Sequence, residues 1–185
     1  KVQIKNYSIV GCNIDTYLLE KIRLLNQEEN ERNFHIFYQI LSNDVSKFKY
    51  HLLDAENYKF LNYKFIKCRE IDDAKEFNDL MQAFKIMGFN VDIVDNILKI
   101  VASVLHLGNI TFDDDGNIKG NNEINIVCQL LGLEKECLIE SISYRYLKTG
   151  NENIRIKMNK EESVKALNSL VMKFYENTFN YIVKT

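Results

Sequence analysis

Apolar residues recur with helical spacing over most of the chain and with strand-like alternation near its beginning. Residues 2–6 and 9–19 have near-alternating apolar positions and include the strand formers Ile9, Cys12, Ile14, Thr16 and Leu18. We therefore predict a β-hairpin within residues 1–19, the one convincing sheet in the sequence. Further on, Phe34, Phe37, Tyr38 and Leu41 follow i, i+3, i+4, i+7 spacing, which predicts a helix that packs by an aromatic stripe.

Two further helices have recognisable beginnings and ends. Asp73 and Glu76 have the spacing of a capping box, and Gly88 supplies a left-handed stop. Asp92 is then the predicted N-cap of a second helix that ends at Gly108. Its apolar stripe is so broad that we expect it to be almost wholly buried: Ile93, Ile97, Ile100, Val101, Val104 and Leu105.

The second half of the chain alternates exposed segments with helices. Residues 113–122 are acidic and aperiodic, which is typical of an exposed loop, and helices are predicted at 123–131 and 134–143. Residues 144–157 indicate a twisted hairpin around Gly150. Asn159 and Glu162 then form a capping box for a helix that continues to about Val183. Its predicted inner face is Val164, Leu167, Val171, Phe174, Thr178 and Ile182.

This pattern predicts a single structural unit that is mainly α-helical, with a small β-hairpin at the N-terminus. The composition then limits the classes of protein to which the chain can belong. The 185 residues are 46% hydrophobic, which suffices for one core, and the formal net charge of -2 argues against a nucleic-acid partner. No apolar run approaches the roughly 20 residues that cross a bilayer, so we expect no direct membrane insertion. The four cysteines are scattered, which favours reduced thiols over disulfides or a zinc site.

Local motifs for catalysis or cofactor binding are missing from the sequence. The seven glycines include no P-loop or GxGxxG spacing, so we expect no nucleotide cradle. A calcium loop beginning at Asp113 would have Ile118 at its sixth position and Ile124 at its twelfth, so a solvated turn is favoured. His106 follows a buried stripe and is predicted to be a core histidine. We therefore predict no catalytic, cofactor-binding or metal-binding residue in this chain.

The segment from 145 to 160 is the most basic surface feature of the sequence. Arg145, Lys148, Arg155 and Lys157 lie within it, and cations in an exposed segment attract an acidic partner over long range. A solvated surface without a partner is the alternative reading of such a cluster.

Several motifs resemble one family. Residues 14–21 (IDTYLLEK) and 31–41 (ERNFHIFYQIL) are very similar to the segment that follows the switch I loop of myosins. The similarity continues at residues 72–74 (DDA), 86–89 (IMGF) and 102–112 (ASVLHLGNITF), in the family's order and spacing. The C-terminal helix resembles the long helix that precedes switch II in that family.

The resemblance implies that the chain is most of the upper 50 kDa subdomain of a P-loop myosin motor, with transducer strands at 1–19. The parent would be a cytoplasmic, cytoskeleton-associated ATPase that binds ATP and Mg²⁺ and moves on actin filaments. Its P-loop, switch I and switch II lie outside this sequence, so the fragment alone would bind neither cofactor and would be inactive. Its partners would be the actin filament and the remainder of the heavy chain, which we expect to cover Phe34, Phe37 and Tyr38.

The resemblance also assigns surface residues. Residues 113–122 correspond by position to the family's loop 4, and 144–160 to its cardiomyopathy loop, both of which meet actin. The implied actin contacts are Arg145, Lys148, Arg155, Lys157, Asp113, Asp114 and Asp115. Glu152 falls where myosins carry an acidic or phosphorylatable residue, which implies a permanent regulatory charge. The alternative function is a non-motor helical module that binds actin or another protein and has lost ATP hydrolysis.

Overall fold

The structure is a computed structural model that describes residues 2–12, 19–28, 31–61, 68, 70–119, 122–150 and 152–184. Helices dominate these residues, as predicted. They are α1 (His35–Leu41), α2 (Asp44–Lys49), α3 (Asp73–Ile86), α4 (Val91–Gly108), α5 (Asn122–Leu131), α6 (Lys135–Ser143) and α7 (Lys160–Lys184). Short 3-10 turns lie at Lys21–Leu24 and Ala55–Asn57. The short helix α2 has no counterpart in the sequence-based prediction.

The predicted N-terminal hairpin is present. Strand β1 (Val2–Lys5) pairs antiparallel with β2 (Ser8–Cys12). Asn6 and Tyr7 join the strands at φ of 51° and 60°, the left-handed conformation of a two-residue turn that matches the twist of a hairpin. Residues 13–18 of the predicted second strand, which include Ile14, Thr16 and Leu18, lie outside the described residues, and Leu19 is not in a strand.

Two more antiparallel pairs lie in the second half of the chain. Strands β5 (Tyr144–Thr149) and β6 (Glu152–Lys157) form the predicted hairpin, and Gly150 in its turn has φ of 62°. Strands β3 (Thr111–Phe112) and β4 (Ile118–Lys119) were not predicted. Two residues are too few to produce a recognisable alternation, so the prediction of residues 113–122 as an aperiodic loop was wrong for Ile118 and Lys119.

Helix α4 lies at the centre of the molecule and packs against α1, α5 and α7. Its residues 101–108 are all buried, as is Ile97. Ile93 and Ile100 of the predicted stripe are half-buried, so the helix is less completely buried than predicted. Gly108 ends the helix beneath the ring of Phe60, where a Cβ would overlap the ring carbons. His106 is buried, as predicted, and its Nε2 lies 3.1 Å from the carbonyl oxygen of Tyr50. Burial lowers the pKa of this imidazole.

Two of the predicted N-caps were wrong by one or two residues. The side chain of Asp72, rather than Asp73, caps α3 by accepting from the backbone N–H of Lys75 at 3.0 Å. Asn90, rather than Asp92, caps α4 by accepting from the Asp92 N–H at 2.9 Å. In both cases another polar residue that can cap a helix lies one or two positions before the predicted cap. The sequence alone therefore did not distinguish the two candidate N-cap residues.

Other helix-end predictions are confirmed. Gly88 follows α3 with φ of 81°. At the start of α7, the Glu162 N–H donates to Asn159 Oδ1 at 3.0 Å, and the Asn159 N–H donates to Glu162 Oε2 at 3.1 Å. This is the reciprocal pair of a capping box.

Helix α7 covers the aromatic stripe of α1, contrary to our expectation that another part of a parent protein would do so. The ring of Tyr175 stacks on Phe34 with 4.5 Å between centroids, and it lies 5.9 Å from Phe37. Tyr38 is also buried, and its hydroxyl accepts from the Asn33 N–H at 3.0 Å. The stripe therefore belongs to the core of this chain.

The inner face of α7 is narrower than predicted. Leu167 and Val171 are buried, whereas Val164 is 40% exposed. Ser163 takes the buried position next to it because the helix begins with that side turned toward the core.

Candidate functional site

The basic segment forms a two-stranded ribbon that projects from α6 and α7. Strand β5 follows α6 without a break, and α7 begins three residues after β6 ends. The Met158 N–H donates to the Ser143 carbonyl at 2.9 Å and closes the base of the ribbon. Residues opposite each other in an antiparallel pair lie on the same face. The pairing of β5 with β6 therefore places some of the predicted contact residues on one face of the ribbon and the others on the opposite face.

One face carries three of the four predicted cations. Lys157 lies opposite Tyr144, Arg155 opposite Tyr146, and Lys148 opposite Asn153. We call this the cationic face, defined by Lys148, Arg155 and Lys157.

Arg155 is already engaged inside the chain. Its Nε donates to Glu140 Oε1 at 2.7 Å and its Nη2 to Glu140 Oε2 at 2.5 Å, while its guanidinium lies 3.5 Å from the ring centroid of Tyr144. Hydrogen bonds from Arg155 and from the Tyr146 hydroxyl lower the pKa of the Glu140 carboxyl. Arg155 therefore fixes the ribbon to α6 and presents less unbalanced charge than the sequence suggests.

The opposite face has three apolar residues, Leu147, Ile154 and Ile156, and three polar ones, Arg145, Thr149 and Glu152. Leu147 pairs with Ile154, and their side chains are 47% and 45% exposed. Arg145 pairs with Ile156 on this face, and its Nε lies 3.4 Å from Glu162 Oε1. The predicted contacts did not include Leu147 and Ile154, although the alternation in both strands would have shown that they share a face.

Lys148 and Glu152 lie near the tip of the ribbon. Both residues are exposed, and Glu152 pairs with Thr149 across the turn. Within the described residues Lys148 makes no ion pair, which distinguishes it from Arg145 and Arg155. Of the predicted cations, Lys148 is therefore the one best placed to meet a partner.

The acidic run lies beside the base of the ribbon. Asp113 accepts from the N–H and the side-chain amide of Asn117 at 2.8 and 2.9 Å, and these hydrogen bonds lower the pKa of its carboxyl. Asp114 pairs with Lys160 at 2.9 Å, and that hydrogen bond lowers its pKa as well. Asp115 is exposed. Residues 120 and 121 of the predicted loop lie outside the described part of the chain.

The described part of the chain contains no group of three His, Cys, Asp or Glu side chains that could bind a metal ion. An apolar cavity of about 510 Å³ lies between α4 and α7, lined by Ile97 and Phe174 among others, and is remote from the predicted site residues. None of the helices described is long and apolar enough to cross a bilayer.

The matching family model and three similar proteins all indicate the same family. Residues 2–185 match the family model described as "Myosin head (motor domain)". The chain is 34% identical to a probable myosin heavy chain of Encephalitozoon cuniculi over 99% of its length, and 34% identical to human unconventional myosin-Vc over 95%. It is 32% identical to rat unconventional myosin-Ib over 94%. The matched regions are 11%, 11% and 16% of those three proteins, so the chain spans a small part of each relative.

Proposed function

This chain belongs to the myosin head family, and from that membership we propose that it is part of an actin-based motor that hydrolyses ATP. Within such a motor it contributes actin-binding surface and couples the nucleotide site to the filament. Membership supports the proposal because the match extends over residues 2–185, nearly the whole chain.

We assign the chain to the upper 50 kDa subdomain, with residues 1–19 as transducer strands. Residues 113–122 are then loop 4, and 144–160 the cardiomyopathy loop. ATP and Mg²⁺ bind elsewhere in the heavy chain, and they supply the phosphoryl-transfer chemistry there. The role of this chain's residues is to bind the filament and to transmit movement through the packed helices α4 and α7.

The proposed actin contact is the ribbon of β5 and β6. Actin is acidic, and the cationic face would attract it at long range. Leu147 and Ile154 on the opposite face supply apolar area that stabilises a docked complex once charge has guided the encounter. The single observation that carries this proposal is that Lys148 is exposed near the ribbon tip and makes no ion pair with any described residue.

We predict that Lys148→Ala in the full-length protein weakens binding to actin filaments by roughly two- to tenfold at low ionic strength, as expected for an exposed interface charge. Cosedimentation across a salt series measures this affinity. The deficit should shrink as salt rises, since ions screen the attraction.

The matched control is Lys85→Ala. Lys85 is an exposed lysine in the last turn of α3, a helix that packs mainly against α1 rather than against the ribbon. If the two variants bind actin equally well, the ribbon is not the contact that we propose.

A further inference from the structure

The loop between β3 and β4, residues 113–117, contacts the ribbon base at three places. The Nζ of Lys157 donates to Asn117 Oδ1, across 40 residues of sequence. Lys160 pairs with Asp114 at 2.9 Å, across 46 residues. Gly116 lies against the backbone carbonyl of Met158. These contacts join the loop to both the end of β6 and the start of α7.

Gly116 is required here for two independent reasons. Its φ of 73° is a left-handed conformation that residues with a Cβ adopt with strain. A Cβ at this position would also overlap the Met158 carbonyl oxygen, which is backbone and cannot rotate away. The neighbouring Met158 N–H makes the hydrogen bond to Ser143 that closes the ribbon. A side chain at position 116 would therefore push directly on the base of the ribbon.

Asp113 orients the side-chain amide of Asn117, which accepts a hydrogen bond from Lys157. Its Oδ2 accepts from Asn117 Nδ2 at 2.9 Å, which leaves Asn117 Oδ1 directed at the Lys157 ammonium. The loop itself is closed by the Gly116 N–H, which donates to the Asp113 carbonyl at 3.0 Å. Asp113, Asn117 and Lys157 thus form a continuous hydrogen-bonded path from the loop to the ribbon.

We propose that the 113–117 loop is a strut that holds the ribbon in place, and that Asp113, Asn117 and Gly116 are positioning residues. On this account Asp113 affects the filament only indirectly, by orienting Lys157 through Asn117, and Asp114 pairs with Lys160 within the chain. The part of the proposal that concerns the filament rests on the proposed function. The strut itself is a property of the chain and can be measured without actin.

The test is hydrogen exchange of the full-length protein, without actin, comparing Gly116→Ala with Gly132→Ala. Gly132 has a similar φ of 64° but no atom within 4 Å of an added Cβ, so it controls for backbone strain. In Gly116→Ala the Met158 amide and neighbouring amides of β5 and β6 should exchange at least about tenfold faster, because local opening becomes easier. In Gly132→Ala they should not change. Equal exchange at the ribbon in both variants overturns the strut.

A milder variant guards against the possibility that Gly116→Ala prevents folding. Asn117→Ala removes the path to Lys157 without adding atoms, and Asn125→Ala, at an exposed position on α5, is its control. Faster exchange at the ribbon only in Asn117→Ala supports the strut. Unchanged exchange in both variants contradicts it.

Actin binding of the same variants separates this inference from the proposed function. If hydrogen exchange at the ribbon is faster in Gly116→Ala and actin affinity falls, the strut and the ribbon's role in actin binding are both supported. If exchange is faster and affinity is unchanged, the strut stands and the ribbon's role in actin binding fails. If exchange is unchanged, the strut fails whatever happens to actin affinity.

Asp114→Asn distinguishes a strut from a direct contact. Removal of this carboxylate frees Lys160, so association with an acidic filament should be as fast or faster at low salt. Slower association with unchanged hydrogen exchange at the ribbon would mean that Asp114 touches the partner, which overturns its assignment as a residue that acts within the chain.

Discussion

Asp95, in α4, is a partly buried carboxylate that accepts hydrogen bonds from three side chains. Its oxygens accept from the Tyr50 hydroxyl and from the ammonium groups of Lys49 and Lys99, at 2.6, 2.6 and 3.0 Å. Burial alone would raise its pKa, but the hydrogen bonds from Lys49, Tyr50 and Lys99 outweigh burial and lower the pKa to about 2 from its ordinary 3.8. The ionised form therefore stabilises the contact between α2 and α4.

The lowered pKa predicts a pH-dependent contribution to stability. Because the folded protein holds this carboxyl ionised, its contribution is complete above the ordinary pKa of 3.8 and is lost as pH falls toward 2. We expect Asp95→Asn to lower the free energy of unfolding by about 1–2 kcal/mol at pH 7, a value reduced for partial exposure.

Thermal unfolding at pH 7 and at pH 3 measures this effect, with Asp79→Asn, at an exposed position on α3, as the control. The difference between wild type and Asp95→Asn should be smaller at pH 3. A difference that does not change with pH would contradict the assignment of a stabilising ionised group.

Glu152 is a second residue whose proposed role depends on the charge of its own side chain. It is exposed at the start of β6, where a carboxylate can act on a partner without a kinase. We predict that Glu152→Ala in the full-length protein causes a severalfold fall in actin-activated ATP turnover. Glu152→Asp keeps the charge and should retain most of the activity. Unchanged turnover in Glu152→Ala removes this residue from regulation.

At the scale of elements, α7 stabilises the molecule by packing against the central helix α4 and against residues from the first part of the chain. Its Tyr175 covers Phe34 and Phe37 near α1, and its Glu176 pairs with Lys21 at 2.8 Å. Burial raises the pKa of the Tyr175 phenol, consistent with its enclosed position. The helix therefore connects the beginning of the chain to the ribbon that precedes it.

This packing predicts a large effect at Tyr175. We expect Tyr175→Ala to lower the free energy of unfolding by about 2–4 kcal/mol, because it removes a packed ring and leaves a cavity. Val164→Ala, on the exposed side of the same helix, should change it by less than about 1 kcal/mol. Thermal unfolding of the two variants measures the difference. Similar losses in both would mean that the aromatic cluster contributes little.

The elements were predictable where a periodic pattern extends over several turns or residue pairs. Helices α3, α4 and α7 were found in this way, as was the ribbon of β5 and β6. The two-residue strands β3 and β4 were missed because their pairing depends on Phe112 entering the core and on the turn at Gly116. Both are tertiary effects with no repeat in the sequence.

The site was predictable only in part. The sequence indicated the cations of the ribbon, but not that Glu140 binds Arg155 or that Asp114 binds Lys160. Such ion pairs join residues 15 and 46 positions apart, so they depend on the fold. For the same reason the sequence presented the acidic run as a contact of its own, whereas the fold brings it against the ribbon.

At the scale of the whole molecule, the family was predictable because its motifs are spread along the chain in a fixed order. The chain spans a small part of its relatives, so the motor activity that we propose would belong to the parent protein. Coupling between nucleotide and filament is then the property that separates a motor from a helical binding module that has lost hydrolysis.

The most direct test is the affinity of the full-length protein for actin filaments with and without ATP. A motor couples the two ligands, so ATP should weaken actin binding by at least about tenfold, within the usual range of coupling between sites. Equal affinity in both conditions would contradict the motor and leave a binding module as the function of this chain.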